Sequence, residues 1–283
     1  MFKKGDGMAA TSQLCAADGT TIAWHSLGTG PGLVLVSGAM LAGADYTALA
    51  ELLADRYTVH LLDRRGRGGS GPQGDGYGMH TECADLAAVL RATGARQVFG
   101  HSYGGLVAVQ TALREPALVD RLALFEPAVS IDGSLPRWFL PEFRAAIDRG
   151  HWARAMTLLL RGLRLGGPFD RLPLPVATAV AGLLLRTAGR SMRQALPTVP
   201  AEVAAGIALD GPADRYASVS TPTLLLTGER GPGYLTTAAA ALATAMPAAR
   251  HVVLPGVDHG APQQAPRLVA DALAPFLAEP AQV

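Results

Sequence analysis

A chain of 283 residues is long enough for one large domain, or for one domain carrying a sizeable insertion. With 49% hydrophobic and 17% charged residues it can bury a deep core, and a formal net charge of +1 offers no basic field for nucleic acid. Two cysteines, Cys15 and Cys83, are too few for a disulfide scaffold, and no uninterrupted apolar run reaches the about 18 residues a membrane span needs.

At the N-terminus, Lys3 and Lys4 are followed by Gly5-Asp6-Gly7, where a signal peptide would need an apolar run. A soluble, cytoplasmic protein is the expectation. The opening then reads as a β-hairpin, Ser12–Ala16 and Thr21–Ser26 around the turn dipeptide Asp18-Gly19. Leu33–Ser37 and Tyr57–Leu62 are short apolar runs that read as strands buried on both faces, with a helix over Asp45–Ala54 between them. Arg64–Gly76 is a glycine-rich loop. In the helix expected at 78–93, Met79, Cys83, Leu86 and Leu90 share one face, which makes Cys83 a packed small hydrophobe rather than a reactive thiol. A strand at Arg96–Gly100, a helix at Tyr103–Arg114 and a strand at Val119–Phe125 follow.

The alternation stops between about 128 and 218. That stretch offers helical segments at Phe143–Asp148, Trp152–Leu165 and Val176–Thr187, broken by proline and glycine, and reads as an inserted helical cap. The pattern resumes with a strand at 222–227, a helix near 234–245, a strand at Arg250–Leu254 and a final helix near 264–278. Strands alternating with helices predict an α/β fold, a doubly wound, mostly parallel sheet with helices on both faces. The core is expected from 1–127 and 219–283, the cap from 128–218.

Gly100-His101-Ser102-Tyr103-Gly104 fits G-x-S-x-G. The string alone is weak, but here it follows a strand directly and opens a helix, the setting in which a sharp turn exposes a serine hydroxyl above the sheet edge. Such a hydroxyl needs a base to take its proton. Ligands in doubly wound sheets bind beyond the carboxyl ends of the strands, and of seven histidines His259 alone falls in a loop after the last strand.

With these residues in view, the chain resembles the α/β-hydrolase superfamily, in its serine-nucleophile branch, over nearly its whole length. The resemblance is carried by the elbow at 100–105, by Asp63-Arg64-Arg65-Gly66-Arg67-Gly68, and by Gly256-Val257-Asp258-His259-Gly260. It implies a sheet of about eight strands, a nucleophile at Ser102 and a base at His259. It also assigns Gly66–Gly71 a structural loop role rather than that of a phosphate cradle.

Relatives usually carry the third triad member a few residues beyond the strand at 222–227, where this chain has glycine. A second location, the end of the strand after the nucleophile helix, holds Glu126, the preferred acid over Glu229 and Asp258. The resemblance places the oxyanion donors at the backbone N–H groups of Tyr103 and Ala39, with Met40 as a fallback. Relatives usually show His-Gly at that loop, whereas this chain has Ser37-Gly38, which leaves the loop's orientation open.

No Cys/His cluster has zinc spacing and no dinucleotide fingerprint follows the first parallel strand, so neither metal nor cofactor is implied. Of Trp138, Phe139, Phe143 and Trp152 in the cap, most are expected to form the cap's own core, while some, together with Met40, line the passage to Ser102 for an apolar acyl or alcohol portion. Residues 128–218 contain 11 arginines against seven acids, which admits an anionic partner such as an acyl carrier domain beside a small-molecule substrate. The expected function is hydrolysis of a carboxylic ester, lactone or thioester through an acyl-enzyme. The rivals are a lyase or cyclase that uses the pocket without one, and a silent ligand-binding homologue.

Overall fold

A computed structural model describes residues 10–187 and 190–279; the Lys3–Gly7 stretch lies outside the described residues. One eight-stranded sheet organises the chain, in the order β1-β2-β4-β3-β5-β6-β7-β8. The strands are β1 (Ala10–Cys15), β2 (Thr21–Leu27), β3 (Gly32–Val36), β4 (Thr58–Asp63), β5 (Gln97–His101), β6 (Arg121–Phe125), β7 (Thr223–Gly228) and β8 (Ala249–Leu254). β1 and β2 form the expected hairpin and β2 pairs antiparallel with β4; all later pairings are parallel.

Helices cover both faces because the central strands β3, β4, β5, β6 and β7 are apolar on both. On one side α2 (Met79–Thr93), α3 (Tyr103–Arg114) and α9 (Gly233–Ala245) close a core containing Leu86, Val107 and Leu242. Cys83 is buried in that core, where desolvation pushes its thiol up to about 11. On the other, α1 (Thr47–Leu53), the short α10 (Ala261–Gln264) and α11 (Pro266–Ala278) pack Leu49, Val269 and Phe276 against Leu35 and Phe99. The helix expected over Asp45–Ala54 begins as a 3-10 turn at Gly43–Tyr46, and the final helix is split before Pro266, which cannot donate a backbone hydrogen bond.

Between β6 and β7 the described chain is helical: α4 (Leu140–Asp148), α5 (Trp152–Gly162), α6 (Leu174–Thr187), α7 (Arg190–Ala195) and α8 (Val199–Ile207). The last two are additional to the sequence reading. This segment has its own apolar cluster, including Phe139, Phe143, Leu159 and Leu196, and Ala39 and Met40 of the loop after β3 pack against it. β3 lies between β4 and β5, the point where strand order reverses, so the loops leaving β3 and β5 open a crevice beneath this segment.

Candidate active site

The turn between β5 and α3 is tight enough to dictate glycine. A Cβ on Gly100 would stand 2.6 Å from Gly104 O, and one on Gly104 would stand 2.5 Å from Ser37 O. Ser102 sits at the apex with φ 54° and ψ −120°, a conformation that L-residues avoid, and its own N–H donates to Phe125 O at 3.0 Å. Met40 and Glu126 are also left-handed, at φ 60° and 43°. Backbone strain is therefore collected on three residues around one crevice.

Glu126, ending β6, is fully buried, and its Oε2 lies 2.6 Å from His259 Nδ1. Its Oε1 accepts from Gly228 N at 2.8 Å, and a side chain on Gly231 would occupy the carboxylate's place. Both oxygens are thus held, so the imidazole is oriented by a fixed partner. With Nδ1–H given to the carboxylate, Nε2 keeps its lone pair. Glu229 turns away to accept from Gly256 N at 2.7 Å, and Asp258 accepts from Gly260 N at 2.9 Å. Neither competes for His259.

Ser102 and His259 line the same two cavities. The smaller, about 50 Å³, also meets Tyr103 and Ala39; the larger, about 190 Å³, meets Ala39, Met40 and Leu160. The other expected lining residues are elsewhere, which corrects that expectation. Phe139 and Phe143, one helical turn apart, are spent on the apolar cluster of the segment itself. Trp138 is 70% exposed, resting edge-on against Phe139. Trp152 packs at the rim of that cluster and lines a separate outer cavity. A helical hairpin must bury its own large side chains first, and the aromatics serve that need.

The loop after β3 is held by Arg64, to which the sequence reading gave no role in the site, and by Tyr46. Arg64 Nε donates to Ser37 O at 2.9 Å and Nη2 to Gly38 O at 3.0 Å, while Gly38 N donates to Tyr46 Oη at 3.0 Å. Gly38 C=O and Ala39 N–H belong to one planar trans unit, so anchoring the carbonyl on Arg64 aims the Ala39 N–H the opposite way. This arrangement answers the missing histidine at position 37.

Arg64 is fully buried over the Tyr103 ring, with Nη1 2.6 Å from Glu82 Oε1 and 3.3 Å from Glu202 Oε1. Arg67 also reaches Glu202, so a carboxylate from α8 joins the loop network of the core. Its signal in sequence was the run of arginines leaving β4; its partner was out of reach, because 138 residues separate Arg64 from Glu202.

His101 completes the loop's support. Its Nδ1 lies 2.6 Å from Tyr46 Oη and its Nε2 3.0 Å from His259 O. Burial, and then the neighbouring His259, push its pKa well below the ordinary histidine value, so it stays neutral. A neutral ring with Nε2–H satisfies both contacts: Tyr46 donates to Nδ1, and Nε2–H donates to the carbonyl. Among the described residues no group of three or more His, Cys, Asp or Glu could hold a metal ion, and no helix is long and apolar enough to cross a membrane.

Comparison with known proteins places this geometry in a family. Residues 33–272 match the alpha/beta hydrolase family. A crystal structure of an alpha/beta hydrolase from Sphaerobacter thermophilus superposes with a TM-score of 0.80 at 32% identity, covering 94% of this chain and 100% of that one. A putative carbamate hydrolase of Azorhizobium caulinodans is 30% identical over 84% of this chain and 85% of its own length. A pimeloyl-[acyl-carrier protein] methyl ester esterase of Chromobacterium violaceum is 41% identical over 35% of this chain, a match spanning 38% of the esterase's length. The match with the family extends from β3 into α11, over the whole crevice, and the chain belongs to the alpha/beta hydrolase family.

Proposed function

We propose that the chain is a serine hydrolase of a carboxylic ester, lactone or thioester with an apolar portion, acting through an acyl-enzyme on Ser102. The observation that carries the proposal is the 2.6 Å contact between His259 Nδ1 and the buried Glu126 carboxylate, behind a serine on a strained strand-to-helix turn. His259 Nε2 takes the Ser102 proton as Oγ bonds to the substrate carbonyl carbon. The developing oxyanion is met by the N–H groups of Tyr103 and Ala39. Collapse breaks the bond to the leaving oxygen or sulfur, which receives the proton from His259. Water then gives a proton to His259 as its oxygen bonds to the acyl carbon, and the bond to Ser102 Oγ breaks as Oγ takes that proton back, which releases the acid. Glu126 remains ionised throughout and stabilises the imidazolium.

The activities of two relatives, named as a methyl ester esterase and a putative carbamate hydrolase, are consistent with acyl transfer to water. A serine rather than an aspartate at the elbow argues against dehalogenation or epoxide opening. In this proposal residues 128–218 act as a cap over the crevice, and an acyl carrier domain is the anionic partner when the substrate is a thioester. The acyl-enzyme is tested by fluorophosphonate labelling read by intact mass. One adduct is expected on the wild type and none on Ser102→Ala, with ester turnover lost. Turnover persisting in Ser102→Ala would favour chemistry without an acyl-enzyme and sink the proposal.

A further inference from the structure

Around the 38–39 peptide three buried polar atoms of the described residues lack a hydrogen-bond partner, Ser37 Oγ, Arg67 Nε and Glu202 Oε2, and of these only the last is an oxygen of an ionised group. Glu202 Oε1 is shared by Arg64, Arg67 and Thr198 Oγ1, the first and last at 3.3 and 3.2 Å, whereas Oε2 is buried without a hydrogen-bond partner. Glu202 is 0% exposed and lines the smaller cavity beside Ser102, Tyr103 and His259. Burial pushes the carboxyl up, but Arg64 and Arg67 outweigh it and hold the group below the usual carboxylate value, so it is ionised. An ionised oxygen left without a donor is a costly feature of a folded protein and calls for a function. The cavity is otherwise lined by apolar side chains such as Leu135, Leu163, Val199 and Val203, and the hydroxyls of Ser102, Tyr103 and Tyr234 that also line it make no hydrogen bond to Oε2.

We propose that Glu202 is a specificity determinant: its free oxygen accepts a hydrogen bond from a neutral donor, a hydroxyl or amide N–H, on the acyl part of the substrate. The proposal rests on the acyl-enzyme reading above. The acyl part enters the smaller cavity because the leaving group must sit against His259 to be protonated, and Asp258 and Gly260, which flank that histidine, line the larger one. The smaller cavity is the tighter of the two, about 50 Å³ against about 190 Å³, so short acyl chains are the probes of choice. A carboxylate on that chain would face a like charge, since Glu82 and Glu202 already balance Arg64 and Arg67.

The test compares kcat/KM for the p-nitrophenyl esters of butanoate, 3-hydroxybutanoate and monosuccinate. The wild type should favour the hydroxy ester over butanoate by about tenfold and take the succinyl ester least. Glu202→Gln puts an NH2 where the free oxygen stood, so the hydroxy preference should fall about tenfold and the succinyl ester gain on butanoate. Ratios within one variant cancel any loss that all three esters share through the oxyanion loop. A wild-type ratio near one, or a ratio unchanged in Glu202→Gln, overturns the proposal and leaves Oε2 with an ordered water only. If Glu202→Gln does not fold, Glu202→Asp, which withdraws the oxygen by one methylene, must weaken the same ratio. If the wild type hydrolyses none of the three, the acyl-enzyme reading fails separately. Recognition is then read by NMR titration of Ser102→Ala with 3-hydroxybutanamide and butanamide. Tighter binding of the hydroxy amide sustains it and equal binding overturns it.

Discussion

His101 stands next to Ser102 in sequence, yet its ring is used as a brace. Full burial and contacts to Tyr46 and to the His259 carbonyl keep it neutral, with its pKa well below 6.5. The unfolded chain carries no such restraint, so below about pH 6.5 the unfolded imidazole binds a proton that the folded one refuses. The stability this neutral ring preserves is therefore whole above that pH and declines as pH falls toward the folded pKa. One such group contributes a slope of at most about 1.4 kcal/mol per pH unit. His60 and His251 are lowered by burial too and act in the same direction. In His101→Gln the fall in urea midpoint between pH 7.5 and 5.0 should be smaller than in the wild type. An equal fall in both proteins would show that His101 is not a source of acid sensitivity.

At the scale of elements, the two N–H groups proposed to meet the oxyanion lie on two loops from adjacent strands, and each loop is held differently. The elbow is set by close packing, since Gly100, Gly104 and Gly105 leave no room for side chains against Val36, Ser37 and Pro127. The loop after β3 is set by Arg64, whose fork takes both the Ser37 and Gly38 carbonyls. Arg64→Lys keeps the charge and loses that fork, so the Ala39 N–H is no longer aimed. It should lower kcat on the order of tenfold to a hundredfold with KM little changed, measured on a small activated ester. A normal kcat accompanied only by a lower melting temperature would reduce Arg64 to a structural role. The positions of the elbow, of His259 and of Glu126 were legible in the sequence, because each follows a strand whose apolar run is short. Glu126 stood out as a carboxylate ending a buried strand, and His259 as a loop histidine after the last one. The α8 helix was missed: Thr198 stands at its N-cap without a side-chain cap hydrogen bond and the sequence shows no evident apolar stripe, and with the helix went Glu202. Which of the four cap aromatics would reach the crevice was not legible, because size shows that a side chain wants burial but not which cluster receives it; Phe139 and Phe143 went to the cap's own core.

At the scale of the whole molecule, charge is unevenly divided. Residues 128–218 hold 11 arginines and seven acids, a local +4, so the rest of the chain, at a total of +1, carries −3. Some of these arginines are engaged, as Arg137 is with Asp210 and Arg154 with Glu142. Arg144, Arg149, Arg164, Arg171, Arg186 and Arg193 are exposed. In the proposal above, such a field would draw the anionic carrier toward the segment above Ser102, raising the encounter rate rather than the rate of bond breaking. An acyl carrier bearing the thioester should accordingly show kcat/KM that falls several-fold as salt is raised, because exposed charges are screened beyond about 10 Å at 0.1 M. Its kcat should hold, and the same acyl group on a small neutral thiol should be insensitive to salt. Charge reversal at Arg144 and Arg149 should abolish the salt dependence while leaving the small thioester unaffected. Equal salt responses for the carrier-bound and free thioesters would remove the carrier from the proposal and leave these arginines as solvated helix faces.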